Sequence, residues 1–244
     1  MDILSKRLRV IADMIHDNTA VMADVGCDHG YLSIALLQEK RVRSAIAMDL
    51  RPGPLAHAKE NIARFGLQGQ IETRLSDGMK KLLPGEVNLV VIAGMGGPLM
   101  VRLLSQSPEI VAGLSEIILE PQSEPETLRS YLAGHSFGEE KKYFRIAEEA
   151  FVQEEGKYYP VIRYVACEKA QSLTEAENFF GPELLRSRPA LLLTYLQRRK
   201  QQDEVLAEKL RKTIADGSEK ARSRLAEVEK DLFMISQILQ ERKA

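Results

Sequence analysis

Residues Asp24-Val25-Gly26-Cys27-Asp28-His29-Gly30 stand between an apolar run, Ala20 to Val25, and a helical stretch that begins at Tyr31. That order predicts a strand, a glycine turn and a helix. Gly26 and Gly30 lack the β-carbon that would keep a ligand off the backbone, and the free N–H groups of the helix's first turn face the same crevice. Such a crevice suits a nucleotide-type cofactor. In a dinucleotide fingerprint the middle glycine admits a doubly charged pyrophosphate, but here that position is Asp28. A carboxylate there repels a pyrophosphate. Asp24 and Asp28 instead suit a ligand with positive charge near its centre, and S-adenosylmethionine carries a sulfonium and an α-ammonium beside an adenosine. The chemistry expected of this turn is therefore methyl-donor binding.

Two further strand ends support that expectation. Ser44 to Asp49 is a small apolar run ending in a carboxylate nineteen residues after Gly30, where a ribose diol is gripped, and Leu50 follows it. Ile71 to Leu75 leads into Ser76-Asp77-Gly78, a side-chain acceptor and a flexible backbone suited to the edge of an adenine. Each aspartate taken singly also suits a helix cap or a turn. Taken in order, they outline one pocket from Asp24, Gly26, Asp28, His29, Gly30, Asp49, Leu50, Asp77 and Gly78, closed by Ala93 and Gly94 after a fourth strand. There Ala93-Gly94-Met95-Gly96-Gly97-Pro98 follows the strand whose end, in methyltransferases, meets the acceptor. Enzymes that methylate exocyclic amines often carry Asn/Asp-Pro-Pro-Tyr at this point, and this chain has neither the polar acceptor nor the ring. A glycine loop leaves room for a flat base; it equally makes a tight turn into a helix at Pro98.

The elements that must position these residues alternate. Strands are expected near 20–26, 44–50, 71–76, 87–93 and 115–120, with helices near 31–40, 53–65, 97–106 and 124–134, which gives an α/β fold with a parallel sheet and right-handed crossovers. Val87 to Ala93 is almost wholly apolar, as a central strand covered on both faces must be. After Phe137 two long strands, roughly 142–152 and 157–167, flank Glu154-Glu155-Gly156-Lys157 and predict an antiparallel terminal hairpin. Past Lys169 the composition changes. Leu192, Leu196, Leu206 and Leu210 keep a helical seam, and Ala221, Leu225, Val228, Leu232, Ile235 and Leu239 alternate spacings of four and three. Ala215-Asp216-Gly217-Ser218 offers a helix stop and a new N-cap, so the two runs are expected to fold back as a helical hairpin; a heptad seam also suits an intermolecular coiled coil. Two domains follow, 1–168 for the cofactor and 169–244 for the coiled-coil hairpin.

Composition bounds the function. The 244 residues are 44% apolar and 28% charged, enough for one ordinary core and an appendage. No apolar run approaches the roughly 20 residues of a membrane span, and the first residues are too charged for a signal peptide, so a cytoplasmic protein is expected. Cys27 and Cys167 suggest neither a zinc cluster nor a disulfide framework, and no metal is expected. Residues 186–244 hold 14 Lys and Arg against 9 Asp and Glu, a net of +5, which leaves −6 for residues 1–185. Arg186, Arg188, Arg198, Arg199, Lys200, Lys209, Arg211 and Lys212 suit a phosphate backbone, or simply a solvated helix face.

Ser5-Lys6-Arg7-Leu8, Asp24 to Leu32, Ala93 to Gly97 and Glu155-Gly156-Lys157-Tyr158-Tyr159 resemble the bacterial tRNA (adenine-22-N1)-methyltransferases, over both the α/β part and the helical tail. The Ala-Gly-Met-Gly-Gly loop is the most specific of these motifs. The resemblance implies a Rossmann-like class I methyltransferase with a seven-stranded, mostly parallel sheet, S-adenosylmethionine as cofactor, S-adenosylhomocysteine as product, and tRNA as partner, with no obligate protein partner evident. It implies that the N1 lone pair of an adenine attacks the sulfonium methyl, with Asp28, His29 and Met95 chiefly positioning the reactants. Arg7, Tyr31, Met95, Gly96 and Gly97 are then expected on the base, and Arg198, Arg199 and Lys200 on the tRNA body. The chain departs from the family in reading Leu119-Glu120-Pro121-Gln122 where Leu-Gln-Pro-Asn is usual, and in carrying Asp49 where the ribose-side acid is often Glu. The first change puts an extra carboxylate near the acceptor. Two other readings remain open at this point: methyl transfer to another RNA or a protein, and a non-catalytic donor-binding module that recruits a partner through its coiled coil.

Overall fold

The computed structural model describes residues 3–215 and 218–240. Seven strands, β1 (Val21–Val25), β2 (Ser44–Asp49), β3 (Ile71–Leu75), β4 (Leu89–Gly96), β5 (Glu116–Ser123), β6 (Tyr143–Glu154) and β7 (Lys157–Cys167), form one sheet in the order β3-β2-β1-β4-β5-β7-β6. The first five are parallel, and β7 runs antiparallel to both β5 and β6. From β1 the chain moves outward through β2 and β3, then returns to β1's other side as β4. The carboxyl ends of β1 and β4 therefore flank a crevice, the place where open α/β sheets bind ligands.

Both faces of the sheet are covered, which is why the central strands read as continuous apolar runs. Ala23, Val25, Val90, Ile92, Ile117 and Leu119 turn to one layer, and Met22, Leu89, Val91 and Ile118 to the other. The first layer is closed by α4 (Gly97–Ser105), α5 (Pro108–Gly113) and α6 (Pro125–Gly134). The second is closed by α1 (Lys6–Asp13), α2 (Tyr31–Gln38) and α3 (Pro52–Arg64). Pro52, Pro98, Pro108 and Pro125 each sit in a helix's first turn, where the missing N–H costs nothing and the fixed φ favours the helix. The hairpin turn between β6 and β7 is Glu155 (φ 49°) and Gly156 (φ 76°), two left-handed residues as the twist of a two-residue turn requires.

The structure adds elements that the sequence pattern did not reveal: α1, α5, α7 (Glu175–Phe180) and α8 (Pro182–Ser187). It also corrects one segment. Residues 93–96, expected as a loop, continue β4 with an irregular register, Met95 pairing with Pro121 and Gly96 with Ser123.

The chain divides into two compact units, Met1–Glu183 and Leu184–Ala244. The first includes α7, because Arg129 of α6 donates to the carbonyls of Asn178 and Phe179 at 3.0 Å each. In the second, α9 (Ala190–Ala215) and α10 (Glu219–Gln240) pack side by side. Contacts pair Arg188 with Ile238, Arg199 with Asp231 and Arg211 with Glu229, so numbers fall along α10 as they rise along α9 and the helices are antiparallel. Ala221, Val228 and Ile235 of the heptad seam are buried. Of the expected hinge, Asp216 and Gly217 lie outside the described residues; Ser218 caps α10, its Oγ accepting from the N–H of Ala221 at 3.3 Å. Among the described residues no helix is long and apolar enough to cross a membrane.

Candidate active site

A cavity of about 550 Å³ opens at the carboxyl ends of β1, β2, β3 and β4, within the range of sites that enclose a small organic ligand. The turn after β1 forms its floor. Gly26 (φ 82°), Asp28 (φ 49°) and Gly30 (φ 73°) are all left-handed, a conformation that glycine adopts freely and aspartate tolerates. The N–H groups of Gly26 and Cys27 both donate to the Met48 carbonyl, at 2.8 and 2.9 Å, and Asn61 Nδ2 donates to the His29 carbonyl at 3.0 Å. The turn is thus tied to β2 on one side and to α3 on the other. The two glycines are required for different reasons. A Cβ on Gly26 would lie 2.5 Å from Met95 Cε across the cavity floor, whereas a Cβ on Gly30 would lie 3.2 Å from Ala58 Cβ of α3, and Gly30 itself does not line the cavity.

Three strand-end acids line the cavity in three different states. Asp24 is 6% exposed, accepts from the Ser33 hydroxyl at 3.0 Å, and is pushed up by burial to a pKa of about 6, with Asp49 adding repulsion. Asp49 is as deeply buried and accepts from the Arg51 N–H at 2.8 Å. Asp77 sits at the rim against the Lys80 ammonium, which holds its pKa low. Asp28 is 65% exposed and faces His29 Nε2 at 3.7 Å. Burial and the neighbouring acids raise the Cys27 thiol far above the thiolate range, so it serves as a small apolar lining group rather than a nucleophile.

Two rings, His29 and Tyr31, line the cavity with centroids 6.0 Å apart, His57 packs 5.4 Å from His29 outside the lining, and Arg51 and Arg102 also line it. On the far side stand Ala93, Gly94 and Met95 of the β4 end, with Arg7 of α1. Arg7 is held in place, its Nε donating to Glu154 at 2.7 Å, its Nη1 to Glu120, and its guanidinium 4.6 Å above the Tyr159 ring.

Most residues expected at the site are brought together here: Arg7, Asp24, Gly26, Asp28, His29, Tyr31, Asp49, Leu50, Asp77, Gly78, Ala93, Gly94 and Met95 all line the cavity. Gly96 and Gly97 do not. A Cβ on Gly96 would meet Ser123 Oγ at 2.9 Å and one on Gly97 the Glu124 carbonyl at 2.2 Å, so their smallness accommodates the chain's own β5 end. Arg198, Arg199 and Lys200 belong to the other unit, and Arg199 is paired with Asp203 and Asp231 at 3.0 Å each. Pattern reading missed Arg51 and Arg102 of the cavity lining and Ser33, which holds Asp24. Ser33 had a usable signal: it is the lone polar residue in Leu32-Ser33-Ile34-Ala35-Leu36-Leu37, and a buried hydroxyl needs a partner. Among the described residues no group of three or more His, Cys, Asp or Glu is placed to hold a metal ion.

Comparison with known proteins follows the same lines. A methyltransferase domain model matches residues 4–162. The tRNA (adenine(22)-N(1))-methyltransferase of Bacillus subtilis strain 168 is 28% identical over 240 residues, 97% of each chain. The crystal structure of the B. subtilis M1A22 tRNA methyltransferase TrmK superposes with a TM-score of 0.83 at 28% identity, covering 98% of this chain and all of that one. M. capricolum TrmK, solved with the cofactor product S-adenosylhomocysteine, superposes at 0.78 and 27% identity over 97% of each chain. As the motifs around Asp24 and Gly94 implied, the chain belongs to the methyltransferase-domain family, alongside the bacterial tRNA (m1A22) methyltransferases.

Proposed function

We propose that this protein transfers a methyl group from S-adenosylmethionine to N1 of adenine 22 in tRNA, in the cytoplasm. The observation that carries the reading is the acidic, glycine-floored cavity at the switch point of the sheet, with two buried carboxylates, Asp24 and Asp49, and no Cβ at Gly26 to fill it. The likeness to B. subtilis TrmK over nearly the whole chain supplies the acceptor.

The residues present fit the donor. Asp49 suits the ribose hydroxyls, Ser76 to Gly78 the adenine edge, and Asp24 with Asp28 the ammonium of the methionine end. When bound, S-adenosylmethionine supplies an electrophilic methyl and its own leaving group. What the protein must then provide is alignment and exclusion of water. Met95, Ala93 and Val25 make the cavity wall apolar beside the acids. Adenine N1 is paired in a duplex, so the base must be unpaired or extruded before it enters. The His29 and Tyr31 rings that line the cavity suit stacking against an extruded base or its neighbour. No general base is required, since N1 attacks through a free lone pair. The helical unit, with its excess of Lys and Arg, is assigned to the tRNA body.

The test is transfer of labelled methyl to bacterial tRNA made without modification, followed by nucleoside analysis. 1-Methyladenosine at position 22 is expected, and it should disappear when adenine 22 is replaced by guanine. Label in another nucleoside or in protein would overturn the acceptor while leaving the donor assignment in place.

A further inference from the structure

The carboxylate of Glu120 is wholly buried beside the acceptor end of β4, in a position that the donor site does not use. Register explains what it does there. Ala93 pairs with Glu120 and Met95 with Pro121, so Gly94 is skipped by the ladder, with φ at 75°. An N–H left over at such a bulge needs another acceptor. Glu120 Oε2 supplies it, accepting from Gly94 N–H at 2.7 Å. The same carboxylate accepts from Arg7 Nη1, at 3.3 Å to Oε1 and 3.2 Å to Oε2. Arg7 is in turn fixed by Glu154, whose other oxygen accepts from the Lys6 N–H at 2.9 Å and so caps α1. One bulge residue further on, Met95 Cε reaches the space over Gly26. A continuous set of contacts therefore runs from α1 and the β6–β7 hairpin, through Arg7, Glu120 and the Gly94 bulge, to Met95, whose side chain reaches from the acceptor turn to the cofactor turn.

We propose that Glu120, held by Arg7, is a positioning residue for methyl transfer: it fixes the bulge at Gly94 and thereby sets Met95 against the Gly26 turn. The inference rests on reading Ala93 to Met95 as the acceptor side. What the bulge needs is an acceptor oxygen, so Glu120→Gln, which keeps one, should preserve the turn, and Glu120→Ala should not. Burial raises the Glu120 carboxyl above its ordinary range, against the opposing pull of Arg7 and the Gly94 N–H.

The experiment is a methyl-labelled methionine NMR spectrum of the full-length chain, which has eight methionines, with Met95 identified from Met95→Leu. In Glu120→Ala the Met95 signal should shift or broaden while methionines that do not line the cavity, such as Met22 at the start of β1, stay fixed; in Glu120→Gln it should return near its original position. In parallel, kcat for transfer should fall about tenfold or more in Glu120→Ala and stay within about threefold in Glu120→Gln, with donor affinity little changed in either. An unmoved Met95 signal in Glu120→Ala overturns the proposal, as does equal displacement in Glu120→Gln. Should Glu120→Ala fail to fold, Glu120→Asp, which withdraws the carboxylate by one methylene, carries the same comparison. The spectrum needs no tRNA, so absence of transfer by the unmodified protein would count against the function and not against the role of Glu120.

Discussion

Asp24 shows at the scale of one residue how a binding site costs stability. Its carboxyl is buried and titrates near pH 6 in the folded chain, against about 3.9 when unfolded. Below pH 4 both states are protonated and the group is neutral in the balance. Between pH 4 and 6 the unfolded chain releases its proton first, so stability falls as pH rises through that window and stays lower above it. A cationic ligand favours the ionised form. Donor affinity should therefore weaken as pH is lowered from 7 to 5. Asp24→Asn should lower affinity at pH 7 by about tenfold or more and remove that pH dependence, while raising the melting temperature of the ligand-free protein. Calorimetric titrations and thermal melts across pH 5–8 check both halves. Loss of affinity without a flattened pH profile would move the titrating group elsewhere. A simpler case is Tyr164, whose hydroxyl is buried with no hydrogen-bond partner among the described residues. Tyr164→Phe removes an unmet polar group and should be neutral or stabilising by about 1 kcal/mol in urea denaturation.

Among elements, the joint of α6, β6 and α7 depends on a buried ion pair. Arg129 and Glu149 are 1% and 0% exposed and 2.9 Å apart, and the guanidinium also satisfies two carbonyls at the end of α7. Glu149 in turn accepts from the Glu183 N–H at 3.0 Å. Arg129→Met leaves a buried carboxylate without its cation and should cost about 3–5 kcal/mol in urea, with a further replacement of Glu149 by Gln recovering part of it. Nothing in the local sequence announced this joint. The central strands were legible because burial on both faces writes a continuous apolar run, and α7 had a readable start, since Thr174 and Glu177 form a reciprocal capping box. The helices α5, α7 and α8 are six residues each, too short to establish a period. At the site, Asp24, Gly26 and Asp49 were legible because strand, turn and acid follow one another in the chain. Gly97 was misleading. Its demand for space comes from the Glu124 carbonyl just past a neighbouring strand, and that approach, like the one between Arg7 and Glu120, depends on residues that only folding brings together.

For the whole molecule the uneven charge is the feature with the clearest consequence. Residues 1–185 carry −6 and residues 186–244 carry +5. An acidic donor-binding unit repels a polyanion, so the proposed reading expects attraction for tRNA to come chiefly from the helical unit and from the few cations at the cavity rim. Not every basic residue of α9 is equally available. Arg199 is engaged with Asp203 and Asp231, Arg211 with Glu229, and Lys200 lies 3.7 Å from Glu204, whereas Arg198, Lys209 and Lys212 are exposed. Replacing Arg198, Lys209 and Lys212 by Gln should leave donor affinity and the melting temperature unchanged. It should weaken tRNA binding and flatten its dependence on salt, by about 0.7–0.9 in the log–log slope for each phosphate that is no longer neutralised. Replacing Arg199 alone should instead act mainly on stability, because it leaves Asp203 and Asp231 facing each other across the two helices. Titrations of tRNA at several salt concentrations separate the two kinds of residue. An unchanged slope in the triple variant would make the charge of these helices a solvated surface, and RNA recognition would then fall to Arg7, Arg51 and Arg102 around the cavity.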